Sequence, residues 1–230
     1  MEPNTDNVVQ VSFAGSGGMY HYYLGIAKIL QDHFELDNVI FGGTSGGCFP
    51  ALFLLLNQDI DKIHYELNHE ILAETSSYWL GSLFNWNETV RRHVMKYLPD
   101  DAHIRACDRL FVSMTRLYPW GNEIVSKWSS VEDLVNCVQC SSFIPVVFEP
   151  KIWHWHRDAR YIDGGFTNNK VQIHPEKPHI YITTTMWREV SYNWVWCYSD
   201  ALWAEQLYKW GKEDATDHIE ELAQILKKKS

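Results

Sequence analysis

The chain alternates between two hydrophobic periods. Val8-Val9-Gln10-Val11-Ser12-Phe13 is β-branched and apolar with partial alternation, which predicts a first strand. After Ala14-Gly15-Ser16-Gly17-Gly18 the period lengthens, and Leu24, Ile26, Ala27, Ile29 and Leu30 recur at helical spacing to about His33. A second short run, Asn38-Val39-Ile40-Phe41-Gly42, enters Gly43-Thr44-Ser45-Gly46-Gly47, and an apolar stretch from Cys48 to Leu56 leaves it. Each unit reads as strand, glycine loop, helix. Two such strands lying parallel and adjacent bring both glycine loops to one edge of a sheet.

Further on, Ile60, Ile63, Leu67 and Ile71, then Val90, Val94 and Leu98, predict helical packing over residues 59 to 100. Between them lies an aromatic and small-residue stretch from Ser76 to Trp86, read as a core-packed connection or a flap that meets lipid. Arg109 to Leu117 alternates as a strand, and Glu123 to Trp128 pairs with it across a turn at Pro119-Trp120-Gly121. Ser130, followed by Glu132 and Asp133, opens a helix to about Cys140, with its acids where the helix dipole favours them. A last strand is predicted at His179 to Thr185, and an amphipathic helix at Ala215 to Lys228. The tryptophans from Trp187 to Trp210 could form an interfacial belt.

Composition narrows the class. Hydrophobic residues make up 46% and charged residues 21%, ordinary for a globular chain of 230 residues that can bury a full core. No apolar run reaches the roughly 18 residues of a spanning helix. The polar, acidic start from Met1 to Asn7 is unlike a signal peptide, which predicts a cytoplasmic protein. A net charge of −9 opposes binding to nucleic acid and to anionic membranes, so contact with lipid has to be apolar. The basic run Lys227-Lys228-Lys229 reads as a solvated tail. Five cysteines without a secretory signal predict reduced thiols, and Cys137 and Cys140 read as buried on a helix rather than as zinc ligands.

The candidate chemistry sits in the glycine-rich loops and one acid. G-x-S-x-G between a strand and a helix places its serine on a tight turn with the hydroxyl exposed, so Ser45 is a candidate nucleophile; an incidental serine in a glycine turn is the plainer alternative. The loop from Gly15 to Gly18 can hold an anion on bare amides, either a pyrophosphate or an oxyanion. Tyr20 in place of the third glycine, and Glu35 and Asp37 ahead of the second strand, argue against a dinucleotide. Tyr161-Ile162-Asp163-Gly164-Gly165-Phe166-Thr167-Asn168-Asn169 places an acid at a strand end, where an Asx-turn is the structural alternative. His154 and His156 share one strand face with no third metal ligand evident.

Taken together, Ser12-Phe13-Ala14-Gly15-Ser16-Gly17, Gly43-Thr44-Ser45-Gly46-Gly47, Cys140-Ser141-Ser142-Phe143-Ile144-Pro145 and Asp163-Gly164-Gly165 resemble the patatin-like phospholipases, in the branch of adipose triglyceride lipase and adiponutrin. The resemblance runs over about residues 8 to 185 and does not clearly cover the Trp-rich end. It implies a three-layer α/β/α fold with a mainly parallel central sheet. Residues 1–186 would form the acyl hydrolase domain, and 187–230 a helical extension packed on it. It further implies a Ser45–Asp163 dyad without a catalytic histidine, an oxyanion hole around Gly15, Gly17 and Gly18, and supporting glycines at Gly43, Gly47, Gly164 and Gly165. No metal or cofactor is implied. The implied substrate is an acyl lipid at a membrane or lipid-droplet surface. Hydrolysis, acyl transfer with the same dyad, and silent lipid binding all remain compatible, the last because Tyr20 departs from the family's loop. His21, the histidine nearest the loop, is expected on the helix surface.

Overall fold

The computed structural model describes residues 8–71, 74, 86–145, 151–191 and 201–229. Expectations that fall on residues 75–85, and on Trp194 and Trp196 of the tryptophan cluster, lie outside this description. A seven-stranded mixed sheet forms the centre: β1 (Val9–Phe13), β2 (Val39–Thr44), β3 (Leu110–Leu117), β4 (Trp120–Val125), β5 (His154–His156), β6 (Ala159–Asp163) and β7 (His179–Ile182). Along the sheet the order is β5-β6-β3-β2-β1-β7, with β4 also on β3. The pairings among β7, β1, β2 and β3 are parallel, and those of β3 with β4 and β6, and of β5 with β6, are antiparallel. The expected α/β layering holds, but the sheet is mixed rather than mainly parallel: the pairings from β7 to β3 are parallel, and those that bring in β4, β5 and β6 are antiparallel.

Helices α1 (Tyr20–His33), α2 (Cys48–Leu55), α3 (Ile60–Glu66), α4 (Trp86–Tyr97), α5 (Ala102–Ala106), α6 (Val131–Ser141), α7 (Ala201–Asp217) and α8 (Ile219–Leu222) surround it. A single turn of π-helix, Leu67–Ile71, extends α3. The predicted start of α6 is realised in detail: Ser130 Oγ accepts the Asp133 N–H at 3.1 Å, with Glu132 and Asp133 in the first turn. Helix α2 is apolar nearly all round because the sheet and its helical neighbours cover it; Cys48, Ala51, Leu52, Phe53 and Leu56 are buried. Cys137 and Cys140 are likewise buried on α6, as their spacing predicts.

The C-terminal region departs from expectation in two respects. Its principal helix is Ala201–Asp217, ahead of the predicted span, and the chain turns at His218 into the short α8. The shift has a packing cause: α7 crosses α1 backbone to backbone, so that a Cβ on Gly25 would lie 2.2 Å from the Tyr208 carbonyl oxygen, and one on Gly211 2.0 Å from that of Tyr22. Two glycines that lower helix propensity thus mark a contact that only a missing side chain permits. The lysine run is solvent-exposed, as expected, but its backbone is anchored to the domain. Lys228 bridges Phe34, the Glu35 N–H donates to the Lys227 carbonyl at 2.8 Å, and Lys227 pairs with Glu35.

Candidate active site

Strand β3 assembles the site. One of its edges is filled by β4 from Val112 to Leu117. The other edge is shared: β2 runs parallel along it and ends at Thr44 opposite Ser113, while β6 runs antiparallel and ends at Asp163 opposite Met114. The C-terminal ends of β2 and β6 therefore meet head-on at consecutive residues of β3. Ser45, the next residue after β2, and Asp163, the last of β6, are brought together by register alone.

Ser45 has φ of 53°, in the left-handed region that a non-glycine residue rarely occupies. Its neighbours explain how the turn is tolerated. A Cβ on Gly47 would meet the carbonyl oxygens of Phe13 and Ala14 at 2.4 Å, and one on Gly43 the Cα of Cys48 at 2.6 Å. Helix α2 can leave the turn hard against the end of β1 only with glycine at both positions. The Ser45 N–H donates to Ser141 Oγ at 2.9 Å, and Ser141 Oγ donates to the Ser113 carbonyl at 2.7 Å. The strained residue is thereby tied to α6 and β3.

The aspartate is as firmly placed. Gly164 lies so close to β3 that a Cβ there would sit 2.1 Å from the Ser113 carbonyl oxygen. The Gly165 N–H donates to Asp163 Oδ1 at 2.8 Å, the Asx-turn foreseen from the sequence, and Thr115 Oγ1 donates to the Asp163 carbonyl at 2.8 Å. Ser45 and Asp163 are both buried, and the ends of β2 and β6 set them side by side. Burial raises the Asp163 pKa from the ordinary 3.8 to about 6, against the opposing pull of the Ser45 hydroxyl and the Gly165 N–H.

The glycine loop is only partly free to receive an anion. The Gly15 N–H donates to Asn169 Oδ1 at 2.6 Å, so this amide is engaged, contrary to its expected place in an oxyanion hole. Gly17 and Gly18 open a short 3-10 turn, Gly17–Met19, that leads directly into α1, and their N–H groups have no intrahelical acceptor there. Gly17 also takes the left-handed φ of 53°. It lines a narrow apolar cleft together with Ser45, Gly46, Tyr20, Phe49, Leu67, Ile71, Val90, Val94 and Ser142. Tyr20, the departure in the loop, is a wall of that cleft.

His21 is corrected. Its ring is buried, with Nδ1 3.2 Å from His64 Nδ1, and His64 Nε2 lies 3.0 Å from Glu205 on α7. Burial lowers the pKa of both imidazoles, and for His21 the neighbouring His64 adds to the effect. His154 and His156 face α6: His154 Nε2 meets Asn136 Oδ1 at 2.8 Å, and buried His156 lies 3.7 Å from Asp133. Among the described residues no group of three or more His, Cys, Asp or Glu could hold a metal ion.

Sequence reasoning left three supporting residues unassigned. Ser141 lies inside the stretch Cys140-Ser141-Ser142-Phe143-Ile144-Pro145, whose pattern alone gives it no role. Asn169 clamps Gly15, and the Asn168 carbonyl accepts from Thr44 Oγ1 at 3.1 Å and Ser113 Oγ at 2.9 Å. The signal was the Asn-Asn pair after Asp-Gly-Gly, since side-chain amides beside such a turn commonly bond backbone.

Fold and site define an α/β protein with a serine-bearing turn at the C-terminal edge of its sheet, faced by a buried carboxylate. The patatin-like phospholipase model matches residues 11–175, and the chain belongs to that family. It is 34% identical over 168 residues to patatin-like phospholipase domain-containing protein 2 of Rattus norvegicus, covering 69% of this chain and 34% of that protein. It is 34% identical over 175 residues to the omega-hydroxyceramide transacylase of Mus musculus, covering 73% of this chain and 28% of that protein. The chain thus spans about a third of these relatives' lengths. VipD from Legionella pneumophila, a solved structure, overlays on 77% of this chain and 50% of its own with a TM-score of 0.48 at 14% identity. Among the described residues no helix is long and apolar enough to cross a membrane.

Proposed function

We propose that the chain is a lipid acyl hydrolase in which Ser45 is the nucleophile and Asp163 its general base. The observation that carries this reading is the register of β3, which brings Ser45 to the end of a strand closed by a buried carboxylate whose pKa is raised to about 6. A carboxylate at 3.8 would be a poor proton acceptor; one near 6 is mostly ionised at neutral pH and much closer in basicity to the task. Asp163 takes the hydroxyl proton as Ser45 Oγ attacks the ester carbonyl. The oxyanion forms beside the Gly17 and Gly18 amides, each such donor being worth on the order of 10²-fold or more in rate. Asp163 returns its proton to the departing alcohol, leaving an acyl-Ser45 ester. A water then repeats the cycle with Asp163 again as base, releasing the fatty acid. The aliphatic walls of the cleft suit an acyl chain.

Acyl transfer follows the same path until the second half, where an alcohol replaces water. The relative named as a transacylase and the apolar surroundings of Ser45 favour keeping this reading. Fatty-acid release from a lipid panel by the wild type, absent in Ser45→Ala and in Asp163→Asn, supports the dyad; activity retained in either variant sinks it. Product analysis with a monoglyceride acceptor separates hydrolysis from transfer. A fluorophosphonate that fails to label Ser45 would support silent lipid binding instead.

A further inference from the structure

The hairpin that delivers Asp163 carries a surface that the proposed chemistry does not use. Ile152, Trp155 and Phe166 are large apolar side chains with 58%, 50% and 58% of their surface exposed. Trp155 pairs with Arg160, three residues before Asp163, and Phe166 follows Asp163 by three. Three residues of strand span roughly 10 Å, so all of this lies within about 15 Å of the candidate dyad. Arg160 adds charge in a particular form: its guanidinium stacks 4.6 Å from the ring of Trp153 and 5.1 Å from that of Trp155. A second exposed pair, Leu202 and Trp203, occurs at the start of α7, where the Ala201 carbonyl accepts from Asn68.

Exposed indoles next to the site could simply be scattered surface hydrophobes, which are common. Three features make a lipid surface the better occupant. Ile152 and Trp155 sit on one short hairpin and Phe166 in the turn that follows it; the Trp155 indole is of the type that settles at the level of lipid headgroups, with an apolar ring and a polar N–H. Their cation is held by the rings themselves, on a chain whose net charge of −9 would otherwise repel phosphate. We propose that the β5–β6 hairpin with Phe166 is the docking surface for a phospholipid bilayer, with Ile152, Trp155 and Phe166 entering the interface and Arg160 meeting lipid phosphate. This rests on the hydrolase reading for its purpose, since docking here sets the Asp163 edge of the sheet against the substrate phase, but its test does not depend on catalysis.

The experiment is co-sedimentation of the full chain with phosphatidylcholine–phosphatidylserine vesicles, in a Ser45→Ala background so that the lipid is not consumed. The parent is expected to bind, and Ile152→Ser/Trp155→Ala/Phe166→Ser to lose at least about tenfold in affinity. Arg160→Gln is expected to lose about fivefold, as one cation near an anionic surface is worth. With Ser45 restored, the triple variant should keep its rate on a water-soluble short-chain ester while losing hydrolysis of the vesicles. A parent that does not bind vesicles, a triple variant that binds like the parent, or a triple variant that loses the soluble-ester rate equally, overturns the proposal. Absence of ester turnover in every variant, with vesicle binding behaving as expected, fells the hydrolase reading and leaves the docking surface standing.

Discussion

Two buried ionisable clusters sit in this molecule, and they are alike in every respect but one. Asp163 beside Ser45, and His21 against His64, are both at least nine-tenths shielded from solvent, and both have pKa values pushed toward the neutral form by burial. Both face a partner from a distant segment. The difference is what lies next to them. Ser45 lines an apolar cleft and offers a hydroxyl on a strained turn, while His64 is closed in by Tyr208, whose ring stacks on it at 3.8 Å, and by α7 above it. A displaced pKa marks burial, and only a reactive atom with room for a substrate turns burial into chemistry.

The largest effect that would break this contrast is catalytic. Ser45→Ala and Asp163→Asn are each expected to cost on the order of 10⁴-fold or more in kcat/KM on a soluble ester. His21→Phe, which removes the histidine nearest the glycine loop, is expected to change it by less than about threefold, since no step of the mechanism routes through it. Steady-state kinetics on the three variants decides. A comparable loss in His21→Phe would make the two clusters one site.

The second effect concerns stability and has the unexpected sign. Asp163 is an acid whose folded pKa, about 6, lies above its unfolded value of 3.8. The folded state therefore holds the proton more tightly, and the cost of ionising the buried group is borne in full above pH 6. With about 1.36 kcal/mol per pKa unit, that cost is about 3 kcal/mol at neutral pH. Asp163→Asn is thus expected to raise the stability of the fold by up to about 3 kcal/mol while abolishing activity, measured as a shift in the urea midpoint at pH 7. A destabilised Asp163→Asn protein would mean that the carboxylate's hydrogen bonds outweigh its desolvation.

At the histidine cluster the corresponding probe is Gly25→Ala. Alanine in a helix gains about 1 kcal/mol over glycine, but its Cβ would fall 2.2 Å from the Tyr208 carbonyl, and overpacking against backbone costs up to about 3 kcal/mol. The net expectation is a loss of about 2 kcal/mol, read in the same urea titration, with no change in kcat per folded molecule. A stabilised variant would show that α7 is not held against α1 at this point.

These expectations also mark how far the sequence could be read. Strand, glycine loop and helix were legible around Ser45 because two hydrophobic periods and small residues coincide there, and Asp163 was legible because Asp-Gly-Gly follows an alternating run. The order of strands that joins them was not, since nothing in local pattern tells that β2 and β6 share one edge of β3. His21 was misplaced for a related reason: its burial is set by α3 and α7, which arrive from far along the chain. The α1–α7 crossing was missed because Gly25 and Gly211 speak against helix by propensity, and their use appears only when two backbones touch. Gly15 was assigned to the oxyanion hole because a glycine loop shows which amides exist, not which are already bonded, and Asn169 takes this one.

The smallest effect is the sharpest test, because the two clusters should bend the pH dependence of stability in opposite directions. For Asp163 the folded pKa is raised, so its contribution to stability is lost as pH rises from 3.8 through about 6. For His21 and His64 the folded pKa is lowered below the ordinary 6.5, so the unfolded chain binds more protons and stability is lost as pH falls below 6.5. The stability gap between Asp163→Asn and the wild type should therefore widen from pH 4 to pH 7, whereas His21→Phe should lose less stability than the wild type on acidification from pH 7 to 5. Activity should follow the aspartate alone: kcat/KM on the soluble ester rises with pH with a midpoint near 6, where the Asp163 carboxylate forms. If His21→Phe leaves that midpoint in place and still flattens the acid limb of the stability curve, the imidazole pair belongs to the junction of α1, α3 and α7. If the midpoint moves, protonation at that junction reaches the dyad, and the line drawn between packing and chemistry runs through the wrong residues.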